Sequence, residues 1–167
     1  MADTFLIGDT HFGHRKILDF EAAHRPFASI EQHDDALVER WNAVVRKRDT
    51  VWHLGDVLFG RHSFKHLARL NGVKKLVMGN HDCYPSAAYL EYFNRVCGAA
   101  EVAGCILTHI PVHETQFRRY RANIHGHLHS RKLDDPRYIC VSAEHNNLTP
   151  VSLDVALIGA APGVRKA

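Results

Sequence analysis

Histidine is unusually frequent in this chain, with 14 residues among 167. Its imidazole is the commonest metal ligand in proteins and exchanges protons near neutral pH. Several of these histidines lie close to an acid, an amide or a second histidine, as in Asp9-Thr10-His11, Gly79-Asn80-His81-Asp82 and Gly126-His127-Leu128-His129. We interpret seven nitrogen and oxygen donors as metal ligands, namely Asp9, His11, Asp56, Asn80, His109, His127 and His129.

The spacing of these donors indicates how they would share cations. Alternate residues of an extended segment point the same way, so Asp9 and His11 could bind one cation, and the imidazoles of His127 and His129 would lie on one side of their segment. A glycine precedes Asp56 and lets the backbone turn, and two carboxylate oxygens could bridge two cations. An Asp after a Gly is usually a turn residue, and a lone His is usually structural. Five motifs with potential ligands, at 9–11, 55–56, 79–82, 109 and 126–129, outweigh those readings.

An apolar run leads into each of the five motifs. These runs read as strands, and ligands in sheets flanked by helices collect beyond the carboxyl ends of the strands. We therefore expect the five motifs to meet at one edge of the core. The predicted strands span residues 4–8, 51–54, 76–79, 105–108 and 122–124.

Three helices are predicted between these strands. The first covers 29–45 and begins with the capping-box pattern Ser29-Ile30-Glu31-Gln32. A second starts at Phe64 and ends at Asn71-Gly72, and a third opens at Pro85 and includes Phe93.

The second half of the chain is richer in strands, with further ones expected at 137–143 and 151–157. A length of 167 residues, 46% of them hydrophobic, suits one domain over 1–167 with a sheet core flanked by helices.

Composition narrows the class of protein further. The net charge of +3 is too small to indicate a dedicated nucleic-acid coat. The four cysteines form no CxxC pair, no signal peptide precedes the first strand, and no apolar run reaches about 18 residues. We therefore expect a soluble cytoplasmic protein with reduced thiols and no membrane association.

The ordered motifs DxH, GD, GNHD, H and GHxH, from Asp9 to His129, resemble those of the calcineurin-like metallophosphoesterases. The opening Asp9-Thr10-His11-Phe12-Gly13-His14 is similar to the small single-domain phosphoesterases of bacteria and phages within that family. The resemblance implies a four-layer α/β/β/α sandwich of two mixed β-sheets flanked by helices. It also implies a dinuclear metal centre and a phosphoesterase activity.

Carried over by motif, the resemblance assigns Asp9, His11 and His129 to one cation and Asp56 to both. The second cation would take Asn80, His109 and His127. Such mixed nitrogen and oxygen ligands suit Mn²⁺, our first expectation, and also Fe, Zn²⁺, Co²⁺ or Ni²⁺. Two cations about 3.5–4 Å apart would activate a water for attack and neutralise the phosphoryl oxygens.

The remaining site residues follow from position next to these ligands. His81 would protonate the leaving oxygen or stabilise its charge, and Asp82 would orient the His81 ring. Asn80, His14 and Arg15 are candidates for contact with the substrate phosphate. The arginines at 118–121 are more typical of solvated surface.

The substrate is expected to be a phosphate ester, with a nucleotide or nucleic acid as the candidates, and no oligomeric state is indicated. A short chain has little room for a cap domain, which favours a phosphodiester over a monoester. Two alternatives are a non-catalytic scaffold of the same fold, as in the retromer subunit, and a nucleic-acid-binding protein with structural metals. The retained His81 argues against the first, and the absence of a basic, aromatic platform argues against the second.

Overall fold

The computed structural model describes residues 2–158 and contains two mixed sheets flanked by helices. The first sheet has five strands in the order β4-β3-β2-β1-β9, with β9 antiparallel to β1 and the other pairings parallel. All four parallel strands therefore present their carboxyl ends at one edge. The strands are β1 (Thr4–Ile7), β2 (Thr50–His53), β3 (Val73–Val77), β4 (Arg95–Cys97) and β9 (Val151–Ser152).

The second sheet has four strands in the order β5-β6-β7-β8. Strand β5 runs antiparallel to β6, whereas β6, β7 and β8 are parallel. A parallel bridge between Gly8 and Ser142 joins the strand exits of the two sheets. The strands are β5 (Ala100–Val102), β6 (Cys105–Leu107), β7 (Ala122–His125) and β8 (Tyr138–Cys140).

Within residues 2–158, five α-helices accompany the sheets. Four are about one turn long: α1 (Ile17–Phe20), α3 (Phe64–Leu67), α4 (Ser86–Leu90) and α5 (Leu153–Ala156). Helix α2 (Ile30–Val44) is longer, and Ser29 caps it by accepting a hydrogen bond from the Gln32 amide, as the capping box predicts.

Two apolar clusters hold the layers together. One packs the buried face of α2, including Leu37 and Trp41, against strand residues such as Ile7 and Val51. The other lies between the sheets, where Leu6, Trp52 and Val77 of the first sheet belong to the same cluster as residues of β6 and β7. On the outer face of the second sheet, Phe117 of the 3₁₀ helix Glu114–Arg118 packs edge-to-face against Tyr138, with ring centroids 5.0 Å apart.

Several predicted boundaries need correction. Residues 153–156 form α5 and not a strand, because the Ser152 hydroxyl accepts a hydrogen bond from the Val155 amide and starts a helix. Helix α4 ends at Leu90, before Phe93. Helix α3 ends at Leu67, and turns closed by backbone hydrogen bonds follow it as far as Leu70. Helix α1 and strands β4 and β5 were not predicted. Within residues 2–158, no helix is long and apolar enough to cross a membrane.

Candidate metal centre

The seven predicted ligands leave five strands, β1, β2, β3, β6 and β7, at the same edge of the two sheets. Their backbone is unusual, because five of the seven lie in the left-handed region that few residues other than glycine adopt. The extended spacing predicted for Asp9 with His11 and for His127 with His129 is therefore wrong, although each pair still enters the centre. The five φ angles are 56° for Asp9, 52° for His11, 55° for Asp56, 70° for His127 and 51° for His129.

One group of potential ligands consists of Asp9, His11 and His129, each with a donor atom within 4.8 Å of the other two. Asp9 and His11 are almost completely buried. The Nε2 atom of His11 is buried without a hydrogen-bond partner among residues 2–158, and it lies 3.7 Å from Asp56 Oδ2. A buried, unpaired imidazole nitrogen beside two carboxylates fits a metal ligand better than a packing residue.

A second group joins Asp9, Asp56 and His109 within the same distance. His109 Nε2 is 3.4 Å from Asp56 Oδ2, 2.9 Å from Asn80 Oδ1 and 3.2 Å from His127 Nδ1. Four donors of the predicted second cation thus crowd around one point. Asp9 belongs to both groups, and Asp56 Oδ2 also lies near a donor of each, 3.7 Å from His11 Nε2 and 3.4 Å from His109 Nε2.

Two histidines are oriented by hydrogen bonds at Nδ1, as is typical of metal ligands. His109 Nδ1 donates to the carbonyl of Leu54 at 2.7 Å, which directs its Nε2 towards the centre. His129 Nδ1 lies 2.9 Å from Glu144 Oε1 and likewise leaves Nε2 free. Hydrogen bonds from outside the centre therefore orient both rings.

A glycine is required where the backbone passes closest to Asp9. A Cβ atom at Gly126 would lie 2.6 Å from Asp9 Oδ2 and 3.1 Å from the Leu54 carbonyl. Without a side chain, the next amide, that of His127, donates to both Asp9 oxygens at 3.0 and 3.2 Å. The glycine of the GHxH motif thus lets the second sheet hold a carboxylate of the first.

Burial and mutual charge shift the pKa values of these groups. Burial raises the pKa of Asp9 to about 6, and burial lowers that of His11 well below its usual value. Burial alone would lower the pKa of His109. The hydrogen bond to Asp56 and the negative charges of Asp9 and Asp56 outweigh burial, so the pKa of His109 is raised. Protons and cations would therefore compete for the same atoms, as is usual for mixed-ligand sites.

Sequence reasoning missed a buried ion pair behind the centre. Arg25 and Glu144 have side chains with no solvent exposure, and Arg25 Nη2 lies 2.7 Å from Glu144 Oε1. The guanidinium also donates to the carbonyl oxygens of Asp9 and Thr10, and Glu144 holds His129. This pair fixes the left-handed turn of the first motif. Neither residue lies in a recognisable motif, so nothing in the sequence indicated the ion pair.

Two further supporting residues contact the first motif directly. The Ser142 hydroxyl donates to Asp9 Oδ2 at 2.7 Å, and His53 Nε2 lies 2.9 Å from the Thr10 hydroxyl. Ser142 is not among the predicted site residues. A third acidic group, Glu21 with His129 and Glu144, also lies within ligand range, but Glu144 is already paired with Arg25.

The predicted role of Asp82 must be corrected. Its carboxylate accepts hydrogen bonds from the amides of Asp56, Val57 and Gly79 at 2.8–2.9 Å, and from the Tyr89 hydroxyl at 3.3 Å. These four bonds use the oxygens that were expected to hold the His81 ring. Asp82 therefore ties the turns after β2 and β3 together, and burial raises its pKa.

The other predicted site residues divide into two sets. Asn80 and His81 are exposed at the mouth of the centre, and His14 Nδ1 lies 3.3 Å from His11 Nδ1. Arg15, by contrast, is 81% exposed and lies 3.6 Å from Glu31 on helix α2. Its predicted phosphate contact has no support in the geometry.

Comparison with protein-family models finds no match. The uncharacterized protein MJ1445 of Methanocaldococcus jannaschii is 32% identical over 166 residues, which cover 93% of this chain and 89% of that protein. The chain belongs to the same family as MJ1445. A 31% identity over 167 residues relates it to the Gene 66 protein of Mycobacterium phage L5, with 78% of this chain and 79% of that protein covered.

Solved structures support the fold. The protein of unknown function AQ665 from Aquifex aeolicus superposes with a TM-score of 0.78 and 26% identity over 93% of this chain and 97% of that one. Vps29 from Entamoeba histolytica gives a TM-score of only 0.46 at 20% identity over 84% of this chain and 74% of that one, which is too weak to support an inference.

Proposed function

We propose that this protein is a two-metal phosphoesterase that acts on phosphodiesters. The observation that carries the proposal is the convergence of seven nitrogen and oxygen donors from five strand exits. Two clusters of these donors lie within ligand distance and share the Asp9 carboxylate. A structural metal site usually has one closed set of ligands, whereas paired sites sharing carboxylates are typical of phosphoryl-transfer enzymes.

The chemistry of the donors fits two divalent transition metals. Asp9, His11 and His129 would hold one cation, Asn80, His109 and His127 the other, and Asp56 both. Mn²⁺ is the first choice, with Fe, Zn²⁺, Co²⁺ or Ni²⁺ as further possibilities. Bound there, the cations would supply Lewis acidity that activates water and neutralises phosphoryl oxygens.

His81 is proposed as the general acid that protonates the leaving oxygen. Its backbone amide donates to Asp56 Oδ1 at 2.9 Å, which fixes the position of the loop beside the ligands. Its ring is exposed and lies 6.1 Å from the His11 ring, between centroids. An imidazole that faces solvent beside the ligands can reach a substrate without occupying a ligand position.

The exposed mouth favours a diester substrate. Asn80 and His81 both face solvent, so the centre is open on the side where a substrate would enter. A diester carries a second group on the phosphate, and an open cleft admits that group while a closed pocket would exclude it. We propose a nucleotide or nucleic acid as the partner that supplies this ester.

The compartment is proposed to be the cytoplasm. Cys83, Cys97, Cys105 and Cys140 are all free thiols. Unpaired cysteines are typical of reducing compartments.

The decisive experiment is hydrolysis of bis-p-nitrophenyl phosphate and p-nitrophenyl phosphate after reconstitution with each candidate metal. We expect the diester to be hydrolysed faster, with Mn²⁺ the best activator. Faster hydrolysis of the monoester would contradict the diester assignment. Inactivity with every metal would favour a scaffold role.

The role of His81 is tested by His81→Ala. Loss of a general acid should lower kcat by roughly 10²–10⁴-fold while the protein retains both metals. His24→Ala is the matched control, because His24 is also exposed but pairs with Glu21 outside the predicted ligand set. Equal metal loss and activity loss in His81→Ala would assign His81 to metal binding.

A further inference from the structure

Three aromatic rings form a continuous ledge beside the candidate metal centre. The rings of Phe59 and His14 are stacked, with centroids 3.9 Å apart and planes 14° apart. The ring of Phe20 meets His14 edge-on at 6.2 Å. We call Phe59, His14 and Phe20 the aromatic ledge.

The ledge adjoins the residues that would contact a substrate. Phe59 lies 5.4 Å from the His11 ring, with planes 17° apart, and 5.2 Å from the ring of His81. One end of the ledge therefore touches a proposed metal ligand and the proposed general acid. The other end, at Phe20, extends away from the centre on helix α1.

Local backbone bonds hold the ledge in place. The Phe59 amide donates to the Phe12 carbonyl at 2.7 Å, and the His14 amide donates to the His11 carbonyl at 3.0 Å. The same segments carry the ligands Asp56 and His11, so the ledge and the centre move as one unit. A preformed platform costs little ordering entropy when a ligand binds.

The ledge is not explained by core packing. Phe20 is 68% exposed, and Phe59 and His14 are half-buried. Neither apolar core of residues 2–158 includes Phe59 or Phe20. Three adjoining rings that remain open to solvent beside a polar centre are more typical of a binding surface than of structural support.

We infer that the aromatic ledge binds a planar aromatic group carried by the phosphate ester, as the base of a nucleotide would be. This inference rests on the proposed function and specifies its substrate class. Bases stack on aromatic side chains with little regard to sequence, because every base has a π-face. The centre would recognise the phosphate, and the ledge would select esters with an aromatic group over alkyl esters.

The test compares two diesters with the same leaving group. Besides the shared p-nitrophenyl leaving group, thymidine 5′-p-nitrophenyl phosphate carries a nucleoside with its base, whereas methyl p-nitrophenyl phosphate carries a methyl group. Phe59→Leu keeps an apolar side chain and removes the ring. We expect Phe59→Leu and Phe20→Ala each to lower the ratio of kcat/KM for the thymidine ester to kcat/KM for the methyl ester about tenfold.

Leu90→Ala serves as the control, because Leu90 is 53% exposed on α4 and lies outside the ledge. It should leave both substrates unchanged. An equal loss on both esters in Phe59→Leu would overturn the inference and make Phe59 a support for the centre. Unchanged hydrolysis of the thymidine ester in both ledge variants would overturn it as well.

A binding measurement separates this inference from the proposed function. Calorimetry compares thymidine 5′-monophosphate, phenyl phosphate and methyl phosphate as ligands of the wild-type protein and Phe59→Leu. If no ester is hydrolysed, about tenfold weaker binding of the nucleotide to Phe59→Leu still supports the ledge. Equal affinity of the wild-type protein for all three phosphates overturns it. Preference for the nucleotide over phenyl phosphate assigns the ledge to a base, and equal binding of those two assigns it to aryl esters in general.

Discussion

The two halves of the candidate metal centre are supported in different ways. Asp9, His11 and His129 form a charge-backed half, where the buried Arg25–Glu144 pair holds both the backbone and the His129 ring. Asn80, His109 and His127 form an open half.

The open half is held by backbone groups. The Leu54 carbonyl orients His109, and the hydrogen bond from the Gly79 amide to Asp82 fixes the residue before Asn80. Asn80 is exposed, and His127 is half-buried. Residues that hydrogen-bond to a metal ligand orient it and thereby strongly affect the affinity for the metal. We therefore expect the charge-backed half to bind its cation more tightly and the open half to exchange more readily and admit substrate.

The largest expected effect is on stability. Arg25→Met would leave the Glu144 carboxylate buried without its cation, which should cost about 3–5 kcal/mol of unfolding free energy. Urea denaturation of the metal-free protein measures it. The double variant Arg25→Met with Glu144→Leu should recover much of that loss, because both buried charges are gone. A single variant as stable as the wild type would show that the pair does not support this half.

The next effect concerns metal affinity in one half only. Glu144→Gln removes the negative charge that contacts His129, so the affinity for one of two cations should fall roughly 10–100-fold. A two-step Mn²⁺ titration resolves the two cations. Asp135→Asn is the control, because Asp135 also pairs with an arginine, Arg137, but on a partly exposed surface. Equal weakening of both steps would remove the distinction between the halves.

A smaller effect is expected where Asp82 joins the two turns. Asp82→Asn replaces one accepting oxygen by an amide NH₂, which leaves at least one buried backbone amide unpaired and should cost about 1–3 kcal/mol. The open half should also lose metal affinity, because Gly79 precedes Asn80.

Asp49→Asn is a matched control for Asp82→Asn. Asp49 accepts hydrogen bonds from the amides of Asp3 and Arg46, outside the centre. It should lose stability without any change in metal binding. Metal affinity that falls equally in both variants would trace the effect to general loosening of the fold.

Much of the first sheet and the meeting of the ligands could be predicted from local patterns. Each long apolar run became a strand, and the order of parallel strands placed their carboxyl ends at one edge. Strands β4 and β5 escaped prediction because neither is a continuous apolar run, since each has three residues of which one is charged, Arg95 or Glu101. Helix α1 is also only four residues long.

What could not be predicted depends on contacts distant in sequence. Arg25 and Glu144 are 119 positions apart, and Ser142 and Asp9 are 133 positions apart. Asp82 lies beside His81 in the sequence, yet its oxygens face amides of the turn after β2. The left-handed backbone of the ligands likewise depends on these bonds, since Asp and His have no intrinsic requirement for that conformation.

The smallest predicted effect is the pH dependence caused by His53, which lies beneath the charge-backed half. Burial lowers the pKa of His53 from 6.5 to about 3 in the folded protein. The unfolded chain therefore takes up a proton at His53 as the pH falls below 6.5, while the folded protein does not, and stability declines between these values. This histidine should contribute a slope of up to about 1.4 kcal/mol per pH unit. His53→Gln keeps a partner for Thr10 and removes the titration. Denaturation measured between about pH 4 and about pH 6 should therefore show a shallower dependence of stability on pH. An identical slope in the two proteins would mean that His53 is not held neutral by its burial.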